Sequence, residues 1–208
     1  CLWCYAGDCF LPESDTCYEC DDKCGSFWQK LPVDVTGRHS KSTATATYQF
    51  AIQANVLCGE RGIMRFAVVP KSVTTGGNFG LTNLIMCLWR AHQAGRLTAR
   101  VKKLIRHTDG GPDNCSHVTH IFHWMLVYLG IFEEVLWFRF EAGHSHTEIA
   151  DRLFGLMKRL FETDSSARCT GVGSFEELEQ KLRETFASCP EQFKMEFNFA
   201  NWCDQPPC

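Results

Sequence analysis

The 208-residue sequence contains no apolar run near the roughly 18 residues that a membrane-spanning helix needs. No membrane partner is expected. It contains no internal repeat and no low-complexity segment, so neither a repeat array nor a disordered tract organises it. Net charge is small, −3, which excludes a highly charged tail and gives no general support for strong nucleic-acid binding. No charged-then-apolar leader opens the chain, which begins at Cys1 rather than Met, so a piece of a longer protein is expected. The length suits one domain with a small appendage and is enough to bury a sizeable core.

Cysteine is plentiful. There are thirteen, an odd number, and five fall in the first 20 residues. A small secreted disulfide scaffold would be shorter and would lack the long helical patterns present here. Cys58 and Cys87 sit among apolar residues, where a thiol acts as a small hydrophobe. An intracellular, reducing compartment is expected, with the nucleus as one such place. Cys1, Cys4, Cys17 and Cys20 have the spacing of a four-thiolate zinc knuckle, with Cys9 and Cys24 as spare donors. Against this, residues 17 and 20 of a single strand would face opposite sides.

The pattern along the chain is legible in pieces. "TCYECDD" at 16–22 is β-prone, and 33–46 reads as a loop. "TYQFAIQANVLCG" alternates Tyr48, Phe50, Ile52, Ala54 and Val56, as a half-buried strand would. "IMRFAVVP" pairs with it as a hairpin across the turn at Glu60-Arg61-Gly62. A helix follows from Leu81 to near Gly95, then a strand in "RVKKLIRHTD". A second helix runs through Val118, Phe122 and Leu129 to Gly130. "EEVLWFRFEAG" has the near-continuous apolar run of a buried central strand. Thr147 precedes a third helix through Leu160, and Ser174 with Glu177 form the capping box of a fourth. From Cys189 the tail reads as irregular.

Strand, strand, strand, helix, strand, helix, strand, helix predicts a mixed five-stranded α/β sheet flanked by helices, with an extra C-terminal helix. That order matches the ribonuclease H-like fold. The expected division is a cysteine-rich segment at 1–20, the ribonuclease H-like domain at 16–165, and a helix with its tail at 174–208.

Acidic residues fall at the ends of these elements. Asp22 ends the first strand, Asp109 the fourth, and Asp113 precedes the second helix. Glu148 and Asp151 open the third helix. The first and fourth strands are neighbours in such a sheet, which would bring Asp22 and Asp109 together. Clustered carboxylates bind hard cations such as Mg²⁺. Two ions roughly 4 Å apart can serve phosphodiester cleavage. A lone Asp-Gly such as Asp109-Gly110 is otherwise an ordinary turn residue.

The stretches "DKCGSFWQKLP" (Asp22–Pro32), "TDGGPDN" (Thr108–Asn114), "LVYLGIFEEV" (Leu126–Val135) and "GHSHTEIADRLF" (Gly143–Phe154) together resemble a eukaryotic domain of unknown function found in transposon-like proteins. The resemblance spans most of 20–162 and implies the core of a transposase or integrase with three acidic residues. It points to Asp22, Asp109, His144, His146 and Asp151, with Asp113-Asn114 in place of the family's Glu-Asn. It implies Mg²⁺ or Mn²⁺, and DNA or RNA as partner. Three departures stand out. Asp113 is shorter than Glu, Ala150 is an extra residue before Asp151, and Gly25 replaces an acidic residue. Asp21 beside Asp22 is an alternative first carboxylate.

His144 and His146 read either as helix-capping polar groups or as ligands and proton shuttles, which would shift preference toward Mn²⁺ or Zn²⁺. His117, His120 and His123 read as a polar stripe. Arg100, Lys102, Lys103 and Arg106 could track a phosphate backbone or simply protect a solvated edge strand. Three functions follow: a metal-dependent nuclease or transposase domain, a non-cutting binding module of the same fold, and a zinc-dependent interaction domain.

Overall fold

The apolar positions of "YQFAIQANVL" alternate, yet from Ile52 to Leu57 the strand they form has no solvent face. In the computed structural model this strand, β3 (Tyr48–Leu57), is buried on both sides from Ile52 to Leu57. One side carries Ile52, Ala54 and Val56, and the other carries Gln53 and Asn55. The alternation therefore separates an apolar core layer from a buried polar layer, where sequence reasoning expected core against water. The structure describes residues 15–24, 30–31, 48–57, 63–70, 76–108, 111, 114–139, 154–155, 174–187 and 196–201.

Among the described residues, seven strands form the sheet. They are β1 (Thr16–Cys24), β2 (Lys30–Leu31), β3, β4 (Ile63–Pro70), β5 (Lys103–Thr108), β6 (Glu134–Arg139) and β7 (Glu196–Asn201). The order is β6-β5-β1-β3-β4-β7, with β2 beside β3. β1, β3 and β4 form an antiparallel meander, with Leu57 opposite Ile63 across the hairpin. β5 joins the other side of β1 in parallel, Glu19 opposite Arg106 and Cys20 opposite His107. β6 then adds in parallel to β5, and β7 in parallel to β4.

Helix α1 (Gly77–Gln93) buries Leu84, Cys87, Leu88 and Ala91 against the sheet, in one cluster with Cys17, Leu57, Ile63 and Leu104. Helix α2 (His117–Tyr128) adds Leu126 to that cluster. Its first turn is capped by Ser116, whose Oγ accepts from the Thr119 amide at 3.3 Å. Its last turn closes on Gly130 at φ 68°, a left-handed conformation that a side chain would strain. Helix α3 (Phe175–Ala187) is capped by Ser174, which accepts from the Glu177 amide at 3.2 Å, and buries Leu178 and Leu182 fully.

Two expectations change. Among the described residues β6 is the end strand of the sheet, bonded to β5 alone, with Leu136 and Phe138 exposed. Its apolar run serves packing on one face, where Val135 joins the core cluster and Trp137 lies against α2; on the other face the Phe138 ring meets His107 at a tilt, centres 5.1 Å apart. The tail is not wholly irregular, because 196–201 extends the sheet as β7. Of the expected third helix only 154–155 is described. Both residues are helical, and Phe154 is buried. The segments 1–14, 33–46 and 156–173 lie outside the described residues. Among the described residues, no helix is long and apolar enough to cross a membrane.

A buried charged layer and the candidate active site

Asp22 lies near the C-terminal end of β1, half-buried, opposite Ala54. Residues directly paired across a sheet share a face. Asp22 therefore shares its face with Cys20, Ala54 and Phe66, away from the α1 and α2 side. Its Oδ1 accepts from the Lys23 amide at 2.7 Å. His107, pushed below the usual imidazole range by burial, belongs to the same face.

Asp21 points the other way, into a layer that sequence reasoning did not find. Arg106, fully buried, donates from Nε to Glu19 Oε2 at 2.9 Å and from Nη2 to Asp21 Oδ2 at 2.7 Å. Its Nη1 lies 3.1 Å from His123 Nε2. Asn55 donates to Glu19 at 2.7 Å, Asn83 of α1 donates to Asn55 at 2.6 Å, and Arg65 donates to Asn83 at 2.8 Å. Gln53 donates to Asp21 at 3.3 Å. Trp137 closes the layer edge-on to His123, ring centres 4.9 Å apart. One network thus ties β1, β3, β4, β5, α1 and α2 together.

The electrostatics follow from the count of charges. Burial pushes Glu19 up to about 7, and the attraction of Arg106 only partly offsets it because Asp21 repels. Burial works against the Arg106 cation too, but Asp21 and Glu19 outweigh it and hold the guanidinium above its ordinary value. Burial, then Arg106, then His120 push His123 down to about 3, so its neutral ring accepts from the guanidinium. This layer is closed to substrate; its chemistry is that of positioning. A period-two match of opposite charges, Glu19 and Asp21 against Arg106, was the signal that could have found it.

The other predicted residues divide. Arg106 was expected on a surface facing nucleic acid; burial removes it from that role. Arg100 is exposed. Lys102 and Lys103 pair with Glu133 at 2.8 Å and Glu134 at 3.6 Å. His117, His120 and His123 are not one stripe: the first two are exposed and the third is buried under α2. Cys17 and Cys20 are both buried, Cys17 in the core under α1 and Cys20 on the opposite face, so one zinc ion cannot take both from this strand. Asp109, Asp113, Asp151, Glu148, His144, His146, Cys1 and Cys4 lie outside the described residues. Among the described residues, no group of three His, Cys, Asp or Glu is placed to hold a metal.

No family model matches the chain, and no curated protein matches it. Solved structures do. The Mos1 mariner paired end complex with Mn matches at TM-score 0.53 and 18% identity, covering 85% of this chain and 50% of that one. The catalytic domain of Mos1 mariner transposase matches at TM-score 0.47 and 16% identity, over 85% of this chain and 72% of that one. The Mos1 Strand Transfer Complex matches at 0.48 and 16%, over 86% and 49%. The chain thus spans about half the length of the chains in the Mos1 complexes it matches. The likeness at 0.53 is one of architecture: this chain has the ribonuclease H-like α/β fold found in Mos1 mariner transposase.

Proposed function

We propose that the chain is a transposase-type domain of mobile-element origin that processes DNA phosphodiesters with Mg²⁺ or Mn²⁺. One observation carries the reading. β1 and β5 run parallel with Cys20 opposite His107; Asp22 lies two residues beyond Cys20 in β1, and Asp109 follows Thr108, the last residue of β5, in the sequence. Fold and chemistry add support: the fold occurs in a Mos1 complex with Mn, and oxygen donors suit hard cations. Asp22 and Asp109 would hold the ion, Asp151 or Glu148 would complete the set, and Asp113 stands close in sequence as a further donor. His144 or His146 would move a proton at the reacting oxygen. A bound divalent cation would supply positive charge to the phosphate and to the attacking and leaving oxygens. The chain would be DNA-facing at the C-terminal ends of β1 and β5.

Calorimetric titration with Mn²⁺ tests this, wild type against Asp22→Asn and Asp109→Asn. Binding by wild type that both variants lose, together with Mn²⁺-dependent nicking of duplex DNA, is expected. A folded wild type that binds no Mn²⁺ overturns it. DNA affinity that needs neither cation nor Asp109 indicates a non-cutting binding module instead.

A further inference from the structure

We propose that the outer face of α2, with the groove it shares with α1, is a two-fold interface with a second copy of this chain. Helix α2, His117–Tyr128, contains no Asp, Glu, Lys or Arg. Its outward side is apolar apart from His117 and His120, and a large apolar face is normally covered. Here only Thr119, His123 and Leu126 are buried. Trp124 is 61% exposed and Tyr128 72%, and the two rings stack on each other at 4.9 Å. Ile121 and Leu129 are exposed beside them, as are Ile85 and Trp89 on α1.

Three features point to a second copy as the occupant. The first is area. Counting Val118, Met125 and Ile131 as well, nine large apolar side chains are exposed on this side at about half or more of their surface. At roughly 150–250 Å² for each aromatic side chain and somewhat less for each aliphatic one, they present on the order of 1,000 Å². A standard interface takes about 800 Å² from each partner, and monomers rarely leave such a patch open. The second is charge. α2 offers no Lys or Arg to a phosphate backbone and no Asp or Glu to a basic peptide, and its exposed polar groups are His117, His120 and the Tyr128 hydroxyl, so the matching surface carries little charge. The third is shape. Beside the protruding Trp124–Tyr128 pair lies an apolar groove of about 660 Å³, walled by Trp89, Leu97, Met125 and Ile131. One surface holds both a knob and a hollow, which is what an isologous contact requires. The groove reaches Val101, just before β5 begins, so pairing there leaves the C-terminal ends of β1 and β5 open.

Sedimentation equilibrium of the full 208-residue chain tests the proposal. Wild type should be a dimer at micromolar concentration. Ile121→Glu and Tyr128→Lys should each weaken dimerisation about a hundredfold, with circular dichroism unchanged. Both sites are exposed, and each charge suits its end of the helix dipole. If one variant fails to fold, the other gives the same reading. A wild type monomeric throughout, an open-ended polymer, or a dimer that survives both substitutions overturns it.

Discussion

Arg106 meets two carboxylates and one imidazole where water does not enter. Removing one partner from such a set leaves the others charged and buried, which costs about 3–5 kcal/mol. Arg106→Met should therefore lower the free energy of urea unfolding by that amount, far beyond Arg100→Met at the exposed start of the same stretch. The layer also predicts opposing pH slopes. Glu19 is raised from 4.5 to about 7, so between these values the folded protein holds more protons than the unfolded, and this group loses stability as pH rises. His123 is lowered from 6.5 to about 3, so across that window the unfolded state holds more protons and stability grows as pH rises. Between 4.5 and 6.5 the two oppose. Melting temperature should vary little there in wild type, rise with pH in Glu19→Gln, and fall with pH in His123→Gln. A Glu19→Gln profile parallel to wild type would refute the assignment. None of this was legible from "RVKKLIR", where four cations look alike. Only their strand period distinguishes Arg106, which lies inward with Leu104 and Thr108.

Among the elements, the strands of the meander and both helices on its polar side were readable from their apolar period, with Gly130 marking the end of α2, although α1 starts at Gly77 rather than Leu81. β6 was misplaced because an apolar run says that a strand is covered somewhere, without saying by what. Leu104 of β5 and Leu136 of β6 make the comparison measurable. Leu104 is fully buried, and Leu104→Ala should cost about 2–5 kcal/mol. Leu136 is 37% exposed on an edge, and Leu136→Ala should cost less than about 1.5 kcal/mol. Equal losses in chemical denaturation would mean that β6 is covered on its outer side. β7 was missed although Phe197 and Phe199 alternate in it, because six residues beyond a proline are too few for a period to stand out. Of the candidate site, Asp22 was expected at the end of the first strand and lies near the end of β1, while its expected partners lie outside the described residues. The pairing of β1 with β5 joins residues more than 80 apart; no local pattern encodes it, and it was legible only through the order of elements.

At the scale of the whole molecule, a net charge of −3 leaves little long-range attraction for DNA. Two cations at the start of β5 are already matched, Lys102 with Glu133 and Lys103 with Glu134. If DNA is the partner, Glu133→Gln with Glu134→Gln should tighten binding and steepen its salt dependence by up to about two units of log–log slope. Filter binding across a salt series reads both, and an unchanged slope would place the DNA elsewhere. The central place of β1 has a consequence for synthesis. β1, β3 and β4 leave the ribosome before β5 and can pair as a meander, while β5 follows about a sixth of the chain later. Until it arrives, β1 has an open edge lined by two carboxylates, Glu19 and Asp21, that await their cation. Their mutual repulsion disfavours pairing of that edge with the same edge of another nascent chain. The charges that make the finished core costly to assemble thus guard the unfinished sheet, and Glu19→Leu with Asp21→Leu should increase aggregation during refolding.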